Sequence, residues 1–459
     1  MYGREGKDLT LTAAGDAIIN RRISTCEENR VQELVDIIRD ADLGFVNLET
    51  LLHDFEFYPN AECGGTYLRS PRYIADELRW MGFDLFAAAN NHTGDYSHGG
   101  MISTMEALEE RNMTYAGLGR NLGEARSPSY LDTPGGNVAL VAACSHFPTS
   151  CEAGEQRPDI QGRPGLSPLK LNAKFTVTEE WHENIKELSK LLGLEKVKEE
   201  DYRKKGLIVP EEDEENFVLL NPKGDNLTFE KGEKFKIHYE MNERDRQSII
   251  KEIDRANKQA DWVLVSLHYH TGQNGRINDQ SIPEFVKSFA HECVDNGADA
   301  LLCHGPHVLR GVEIYQEKPI FYSLGNFFFQ VGTLEKLPAD MYQDLERYSR
   351  EGKPLGPDNV PSDVYDIKES DEKGNPRGFL SSEMYWETIL PVIKFKEGRL
   401  KEIDLYPVDL GREEPRSRRG RPLIRKDEKG ISILEQIRDL SQEFNTDIKV
   451  EEEKAIIEA

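Results

Sequence analysis

One pattern recurs along this sequence: a short apolar segment suited to a buried strand ends in polar side chains. The segments and their polar ends are 9–14 before Asp16, 44–48 before Glu49, 83–89 before Asn90-Asn91-His92, 262–267 before His268-Tyr269-His270, and 300–303 before His304-Gly305-Pro306-His307. Several such endings in one chain are far less probable by chance than any single one. Ligands of open α/β sheets bind at the carboxyl ends of the strands, so the pattern predicts a site there.

Segments with helical spacing separate these strands. The sequence predicts helices at 29–41, 70–81, 98–112, 243–260 and 283–296. Strands that alternate with helices indicate an α/β fold in which helices cover a layered sandwich. The chain of 459 residues is long enough for a large core and for one to three domains.

Two stretches break the alternation. Residues 150–240 combine a Gly/Pro-rich loop, a Glu/Lys-dense segment at 179–205 and an acidic run at 211–215. We predict a helical insertion there, which is either a lid over the site or a surface decoration. Beyond 330 we expect a mobile excursion at 332–378, paired strands at 381–396 and 400–408, and a terminal helix at 430–444 that packs on the same core.

Composition excludes several functions. The formal net charge of −25 disfavours nucleic acid and anionic membrane surfaces as partners. The six cysteines show no CxxC spacing and do not resemble a disulfide framework. No run approaches the roughly 18 apolar residues of a membrane span. We therefore expect a cytoplasmic protein with reduced thiols and no membrane segment.

The polar strand ends form one constellation of carboxylate, amide and imidazole groups. Its members are Asp16, Asn47, Glu49, Asn91, His92, His268, His270, His304 and His307. These ligand types suit Mn, Fe, Zn or Co, and they suit calcium or an Fe–S cluster poorly. Their number exceeds what one tetrahedral site uses, so one or two divalent ions are predicted. A two-metal centre holds its ions about 3.5–4 Å apart and activates a water molecule between them.

Each group also has a structural interpretation. Asp16 could be an ordinary turn residue, Asn47 could cap the next turn, and the His304-x-x-His307 pair could be structural. His270 shares the face of His268 only if the strand continues that far. The remaining histidines are interpreted as ordinary surface or core residues: His53, His146, His182, His238 and His291.

Six segments in order resemble the CapA family, the poly-γ-glutamate capsule biosynthesis proteins, which are related to calcineurin-like metallophosphoesterases. The segments are AAGDAIINRRI, GFVNLET, AANNHTGDYSHGG, WVLVSLHYH, CHGPHVLRGVEIY and FYSLGNFFFQ. The resemblance implies a four-layer αββα sandwich that occupies residues 1–330, with residues 331–459 as an extension. The family's usual Asp-x-His start is absent because Ile18 stands at its third position, and His-Gly-Pro-His replaces Gly-His-Thr-His.

Carried over residue by residue, the resemblance implies a role for each group. It implies metal ligands at Asp16, Glu49 (bridging), Asn91, His268, His304 and His307. It also implies that His92 is the general acid or a phosphate contact. For His270 we expect an acid–base role, and for Asn47, Arg69, Arg310 and Asn326 either substrate contacts or structural pairings.

Four functions compete on this basis. The first is a metal-dependent hydrolase of a phosphoester or of an amide such as a γ-glutamyl or peptide bond. The second is an accessory role in poly-γ-glutamate assembly. The third is metal-dependent epimerisation of a peptide residue, with His92 and His270 beside the α-carbon. The fourth is a metal-binding scaffold without catalysis. The expected partners are a peptide, polyglutamate or phosphoester substrate.

Overall fold

A computed structural model describes residues 7–206, 212–221, 226–346, 360–371 and 373–458. Its strands, in chain order, are β1 (Leu9–Ile18), β2 (Leu43–Asn47), β3 (Leu51–Leu52), β4 (Arg69–Ser70), β5 (Leu85–Ala87), β6 (Thr114–Ala116), β7 (Leu118–Gly119), β8 (Ser129–Thr133), β9 (Gly136–Cys144), β10 (Gly165–Leu166), β11 (Leu171–Val177), β12 (Asn216–Leu219), β13 (Leu227–Lys231), β14 (Lys236–Met241), β15 (Trp262–His268), β16 (Ala300–His304), β17 (Leu309–Tyr315), β18 (Lys318–Leu324), β19 (Asn326–Phe329), β20 (Glu387–Lys396), β21 (Arg399–Asp409), β22 (Leu423–Ile424), β23 (Lys449–Val450) and β24 (Ala455–Glu458).

The α-helices lie between these strands. They are α1 (Asn29–Arg39), α2 (Ile74–Met81), α3 (Ser97–Glu109), α4 (Leu122–Arg126), α5 (Glu179–Leu191), α6 (Leu194–Val197), α7 (Glu243–Asn257), α8 (Glu284–Asp295), α9 (Ala339–Glu346), α10 (Pro361–Glu369) and α11 (Glu428–Ser441). The helices predicted at 29–41, 70–81, 98–112, 243–260 and 283–296 are present with shorter bounds.

Two large sheets carry most of the strands in the described part of the chain. The first runs β23-β24-β21-β20-β1-β2-β5-β6, with β19 also paired to β1 and β22 to β21. The second runs β17-β18-β16-β15-β9-β8. The central strands β1, β2 and β5 are parallel to one another, as are β9, β15 and β16. Their carboxyl ends therefore lie at one edge of each sheet.

Alternation of side chains builds three apolar layers from these sheets. In β15, Trp262 and Leu264 enter the core between the two sheets, whereas Val263 and Val265 enter the core beneath the outer helices. In β1, Leu9, Leu11 and Ala13 lie in the same intersheet core. Helices α1 and α2 cover the outer face of the first sheet, and α7 and α8 cover that of the second. The predicted αββα sandwich is confirmed.

The first strand differs from its prediction in an informative way. We expected it to end at residue 14, with Asp16 on a tight turn, but β1 continues to Ile18. It continues because β19 pairs with its end, matching Asp16 with Asn326 and Ile18 with Phe329. The register shifts between Asp16 and Ala17. Asp16 therefore lies in a strand that is held on both sides.

The insertion is not only helical. It contains α5 and α6, in the region predicted to be helical, and also a four-stranded sheet in the order β12-β13-β11-β14. Its strands are short segments in which apolar and polar residues alternate, such as Lys236–Met241. This alternation is a weaker sequence signal than the dense Glu/Lys pattern that predicted helices. Part of the predicted acidic run, residue 211, lies outside the described residues.

The C-terminal part of the chain joins the same architecture. Strands β20 and β21 pair with each other, as predicted, and β20 adds to β1 in the first sheet. The strand predicted from residue 381 begins only at Glu387, because Gly378–Ser381 and Glu383–Tyr385 form short 3₁₀ turns. Residues Ile433, Leu434 and Ile437 of α11 reach the intersheet core. The stretch predicted to be a mobile excursion contains α9 and α10, and its residues 347–359 and 372 lie outside the described chain.

Gly15 generates a prediction because no side chain fits there. A Cβ atom at this position would lie 1.9 Å from the carbonyl oxygen of Gly325. We expect Gly15→Ala to lower the free energy of unfolding by about 1–3 kcal/mol, since overpacking displaces backbone. Urea denaturation measures the change. Gly332→Ala is the control, because its nearest new contact would be 3.7 Å away; equal losses in both variants would contradict the prediction.

Candidate metal centre

The carboxyl edges of the two sheets meet at a cluster of buried polar side chains. Asp16 lies in β1, Glu49 follows β2, Asn91 follows β5, and His268 and His304 end β15 and β16. None of these five side chains is more than 1% exposed. A hydrogen bond joins the two edges, since the backbone N–H of Gly305 donates to Oδ2 of Asp16 at 3.1 Å. Strand ends that are far apart in sequence thus share one site.

A first group of possible ligands contains Asp16, His268 and His304, whose ligand atoms all lie within 4.8 Å of one another. The Nδ1 atoms of the two imidazoles are 2.9 Å apart. Oδ1 of Asp16 lies 3.4 Å from Nδ1 of His304 and 3.8 Å from Nδ1 of His268. Carboxylate and imidazole groups that converge in this way are able to hold a divalent cation.

A second group contains Glu49, His270 and His307, and it meets the same 4.8 Å limit. His268 lies between the two groups. Its Nδ1 faces the first group, and its Nε2 is 3.0 Å from Nε2 of His270 and 3.8 Å from Oε1 of Glu49. The oxygen of the Asn91 amide is 2.9 Å from the same Nε2 atom of His268. The two groups are therefore contiguous.

Among the described residues, no group donates a hydrogen bond to Glu49, although both of its carboxylate oxygens are buried. Burial first, and then the negative charge of Asp16, raises the pKa of Glu49 well above its ordinary value. A buried carboxylate without a partner is costly to the folded chain. A bound cation would supply the missing partner. The carboxylate of Glu49 is therefore the observation that a metal ion fits this site.

Three of the imidazoles, those of His268, His270 and His307, have a lowered pKa, which favours the neutral form that binds metals. Burial, followed by the charges of neighbouring histidines, lowers the pKa of His268 and of His270 well below the ordinary value. Burial also lowers the pKa of His307. Neutral imidazole offers a lone pair to a cation, whereas imidazolium does not. For Asp16, burial alone would raise the pKa, but hydrogen bonding to His304 and the histidine charges lower it.

Outer partners orient several of these ligands. The hydroxyl of Ser266 lies 2.7 Å from Nε2 of His304. Nδ1 of His270 donates to the amide oxygen of Asn278 at 2.7 Å. Nδ1 of His307 likewise faces the amide oxygen of Asn326 at 2.9 Å. Each bond fixes the ring and leaves its other nitrogen for the centre, which is the usual arrangement around metal-binding histidines.

Asn47 supports the carboxylate of Asp16 rather than the cavity. Its Nδ2 donates to Oδ1 of Asp16 at 2.8 Å. Asn326 acts similarly toward His307, and its Nδ2 also donates to the carbonyl oxygen of Tyr385 at 2.9 Å. Both were predicted as substrate contacts or structural pairings, and the observed contacts are those of positioning residues.

His92 occupies a separate place at the same centre. Its Nδ1 lies 2.7 Å from Oδ2 of Asp95, and its Nε2 lies 3.8 Å from Oε1 of Glu49. Asp95 also accepts hydrogen bonds from the backbone N–H groups of Gly64 and Leu68. The carboxylate therefore holds the His92 ring with Nε2 toward the centre, which suits proton transfer there.

The turn after β16 adopts an uncommon backbone conformation. Gly305 has φ of +111°, and a Cβ atom there would lie 2.5 Å from the carbonyl oxygen of Tyr269. His307 has φ of +61°, a left-handed conformation that few non-glycine residues adopt. Such conformations persist where surrounding contacts hold them, often at functional sites. Here the turn directs both His304 and His307 to the centre.

A cavity of about 410 Å³ opens onto these groups. Its polar lining includes Asn91, His92, His270 and His307, so the second ligand group is reached from solvent. Glu49 and the first group lie beneath this surface. The arrangement presents the centre to a small ligand, and a volume of this size is typical of ligand pockets.

Two predicted substrate residues lie away from the cavity lining. The guanidinium of Arg69 pairs with Asp54 at 2.8 Å. Arg310 is fully buried and donates to the carbonyl oxygens of Asp279 and Thr271 at 2.9 and 3.1 Å. These are the structural pairings that the sequence left open, and substrate contact by either arginine stays a prediction.

Three polar residues at the centre were not among the predicted site residues. His146, interpreted as an ordinary histidine, lines the cavity with its ring 4.8 Å from that of His270. Ser266 had a signal, because it shares a strand face with His268 two residues later. Asn278 had none, since it lies on an irregular loop eight residues beyond its partner.

This fold, with buried carboxylate and imidazole groups at the facing carboxyl edges of its sheets, defines a protein of the metallophosphoesterase-like class. Residues 10–331 match the family model described as bacterial capsule synthesis protein PGA_cap, so the chain belongs to that family. The resemblance to CapA that the sequence motifs indicated is confirmed.

Several relatives support this assignment. The chain is 31% identical over 457 residues to the uncharacterised protein y4sH of Sinorhizobium fredii, covering 98% of this chain and 93% of the relative. It is 24% identical over 336 residues to the capsule biosynthesis protein CapA of Bacillus anthracis, covering 72% of this chain and 62% of the relative. The PGA biosynthesis protein CapA of Bacillus subtilis is 22% identical over 330 residues, with coverage of 71% and 64%.

Among the described residues, no helix combines the length and the apolar character needed to traverse a bilayer.

Glu49 generates the prediction for this site. We expect Glu49→Gln to weaken Mn²⁺ binding by more than about tenfold, the scale reached when even outer partners of metal ligands are mutated. Titration calorimetry measures the affinity. Glu77→Gln is the matched control, because Glu77 is equally hidden but accepts hydrogen bonds from the N–H groups of Ile23 and Ser24. Unchanged Mn²⁺ affinity in Glu49→Gln would contradict the prediction.

Proposed function

We propose that this protein is a metal-dependent hydrolase that acts on a phosphoester or on an amide such as a γ-glutamyl or peptide bond. The observation that carries the proposal is the buried carboxylate of Glu49, which has no hydrogen-bond partner among the described residues and lies beside Asp16 and four imidazoles. Burial of such a carboxylate without a partner is costly, and a bound cation would offset that cost. Family membership supports the same class of chemistry.

The proposed ligands follow the two groups. Asp16, His268 and His304 would hold one divalent ion, and Glu49, His270 and His307 a second, with Asn91 beside them. This assignment gives His270 a ligand role in place of the acid–base role expected from the sequence. Mn, Fe, Zn and Co all suit these donors. When bound, such ions polarise the scissile group and lower the pKa of water.

The chain's own contribution to the reaction is orientation and proton transfer. Asp95 fixes the His92 ring at 2.7 Å, so its Nε2 faces the cavity beside Glu49. We propose that His92 protonates the leaving group as the bond breaks. Asn47 and the N–H of Gly305 hold Asp16 in place during turnover.

The test is hydrolysis by the full chain loaded with Mn²⁺ or Fe²⁺. Candidate substrates are p-nitrophenyl phosphate and γ-glutamyl p-nitroanilide, which report on the two bond classes by the same colour change. Turnover of either supports the proposal, and Glu49→Gln should abolish it. Metal bound at full occupancy without turnover of either would favour an accessory role in capsule biosynthesis, which the printed names of the Bacillus relatives describe for those proteins.

A second candidate function is proton exchange at a peptide α-carbon. The observation that favours it is that His92 and His146 both line the cavity and belong to neither ligand group. Epimerisation requires two acid–base residues, whereas hydrolysis requires one acid. Incubation of a peptide mixture with the metal-loaded protein in deuterated water separates the two. Deuterium incorporation without cleavage would indicate epimerisation.

His92 provides a prediction about the leaving group. We expect His92→Asn to lower kcat for phenyl phosphate by about 10²–10⁴-fold, because loss of a general acid exposes the full cost of a poor leaving group. The loss should be smaller for 2,4-dinitrophenyl phosphate, whose leaving group needs no proton. His291→Asn is the control, since His291 pairs with Glu313 and stacks on Tyr315 away from the cavity. Equal losses for both substrates would remove His92 from the acid role.

A further inference from the structure

The cavity above the centre has two unlike surfaces. Its floor is made of the polar groups already described. One wall is apolar and consists of Ile18, Phe329, Val331, Tyr365 and Phe379. From this asymmetry we propose that the substrate carries an uncharged, apolar group, aromatic or branched aliphatic, directly beside the scissile bond. The inference rests on the proposed function, since it specifies the substrate class of the same site.

The wall touches the ligand groups themselves. The rings of Phe379 and His307 meet edge to face with centroids 5.6 Å apart, and Phe329 lies 6.0 Å from His307. A group bonded to whatever the centre holds would therefore lie against these aromatic rings. Because the apolar wall lies against His307, a proposed metal ligand, it would contact the part of the substrate that is bonded directly to the reacting atom.

The wall is a built surface. Phe329 packs against Phe379 at 5.1 Å and against Trp386 at 5.1 Å, and Phe379 packs against Tyr385 at 5.0 Å. The indole N–H of Trp386 donates to the carbonyl oxygen of Phe379 at 2.9 Å. These contacts fix the rings before any ligand arrives. A rigid apolar surface of this kind binds without losing side-chain entropy.

Part of the apolar surface is open to solvent. Phe379 is only partly buried, and Ile277, on the loop that carries Asn278, also lines the cavity and is 58% exposed. Exposed apolar side chains at the mouth of a polar centre gain free energy when an apolar group covers them. Phe379 and Ile277 would thus contact the same ligand group.

The lack of charged residues among the described lining of the cavity also supports an uncharged substrate group. Among the described lining residues there is no lysine, arginine, aspartate or glutamate. A glutamate chain would bring a carboxylate into this space with no cation from the wall to receive it. The formal net charge of −25 adds long-range repulsion of polyanions. The cavity therefore selects an uncharged group, and a run of glutamate residues is disfavoured beside the scissile bond.

Phosphonates test this inference by binding rather than turnover. The probes are methylphosphonate, phenylphosphonate, propylphosphonate and 2-carboxyethylphosphonate, each titrated calorimetrically into the Mn²⁺-loaded full chain. We expect phenylphosphonate to bind about 10–100-fold more tightly than methylphosphonate, the scale of discrimination that apolar pockets reach. Propylphosphonate should bind more tightly than its carboxylate analogue of similar length. Quenching or enhancement of Trp386 fluorescence provides a second signal.

Variants at the rim locate the contact. Phe379→Ala and Ile277→Ala should each reduce the advantage of phenylphosphonate over methylphosphonate. Ile277→Lys should reverse the preference by tightening 2-carboxyethylphosphonate. Ile431→Ala, a partly exposed apolar residue of α11 outside the cavity, is the matched control. Both alanine positions are at least partly exposed, so we expect these variants to fold.

The outcomes separate the two proposals. Methylphosphonate binding without any gain from the phenyl group would overturn the apolar substrate class and leave the metal centre intact. Tighter binding of 2-carboxyethylphosphonate than of propylphosphonate by the unmodified chain would overturn it as well. Failure of Mn²⁺ and of every phosphonate to bind would overturn the proposed function and this inference with it.

Discussion

The fold buries the carboxylates of Asp16 and Glu49 without neutralising their charge. Asp16 accepts hydrogen bonds from Asn47 and from the N–H of Gly305, but no group among the described residues donates one to Glu49. Removing an ionised carboxylate from water without a partner costs several kcal/mol or shifts its pKa. Either effect makes the folded state with an ionised carboxylate less stable. The free energy that the two apolar sheets supply must offset this cost. Cation binding at this centre would therefore be linked to folding, because the ion would restore what burial removes.

The same constraint explains why the centre lies where it does. Only the carboxyl edges of parallel strands bring residues 16, 49, 91, 268 and 304 together without long loops. Close approach at these edges needs positions without side chains, and Gly15 and Gly305 provide them, since a Cβ atom at either would meet a carbonyl oxygen. The left-handed conformation of His307 completes the turn. These three backbone positions thus allow the polar side chains of the two sheets to converge at the centre.

The sequence predicted the parts of this arrangement that follow from local pattern. Alternation in the strands and the polar residues at their ends were sufficient to place Asp16, Glu49 and His268 at the carboxyl ends of strands. Contacts between distant segments were not predictable, because no periodicity links Asn278 to His270 or an arginine to its carbonyl acceptors. Arg69 and Arg310 illustrate the difficulty, since a charged residue near a site in sequence is as often a structural pair as a ligand contact. The end of β1 was misjudged for the same reason, because β19 comes from more than 300 residues away.

The floor of the cavity comes from one part of the chain, and its wall comes only partly from the same part. His92, His270 and His307 lie within residues 10–331, the range that the family model matches. Tyr365 and Phe379 lie beyond it, and the match to y4sH extends over 98% of the chain. Under our proposals, the residues that would hold the metal ions and transfer the proton lie within the matched range, and the extension contributes part of the surface that would contact the substrate. Fold and centre alone do not assign poly-γ-glutamate to this chain, because the surface that contacts the substrate lies partly outside them.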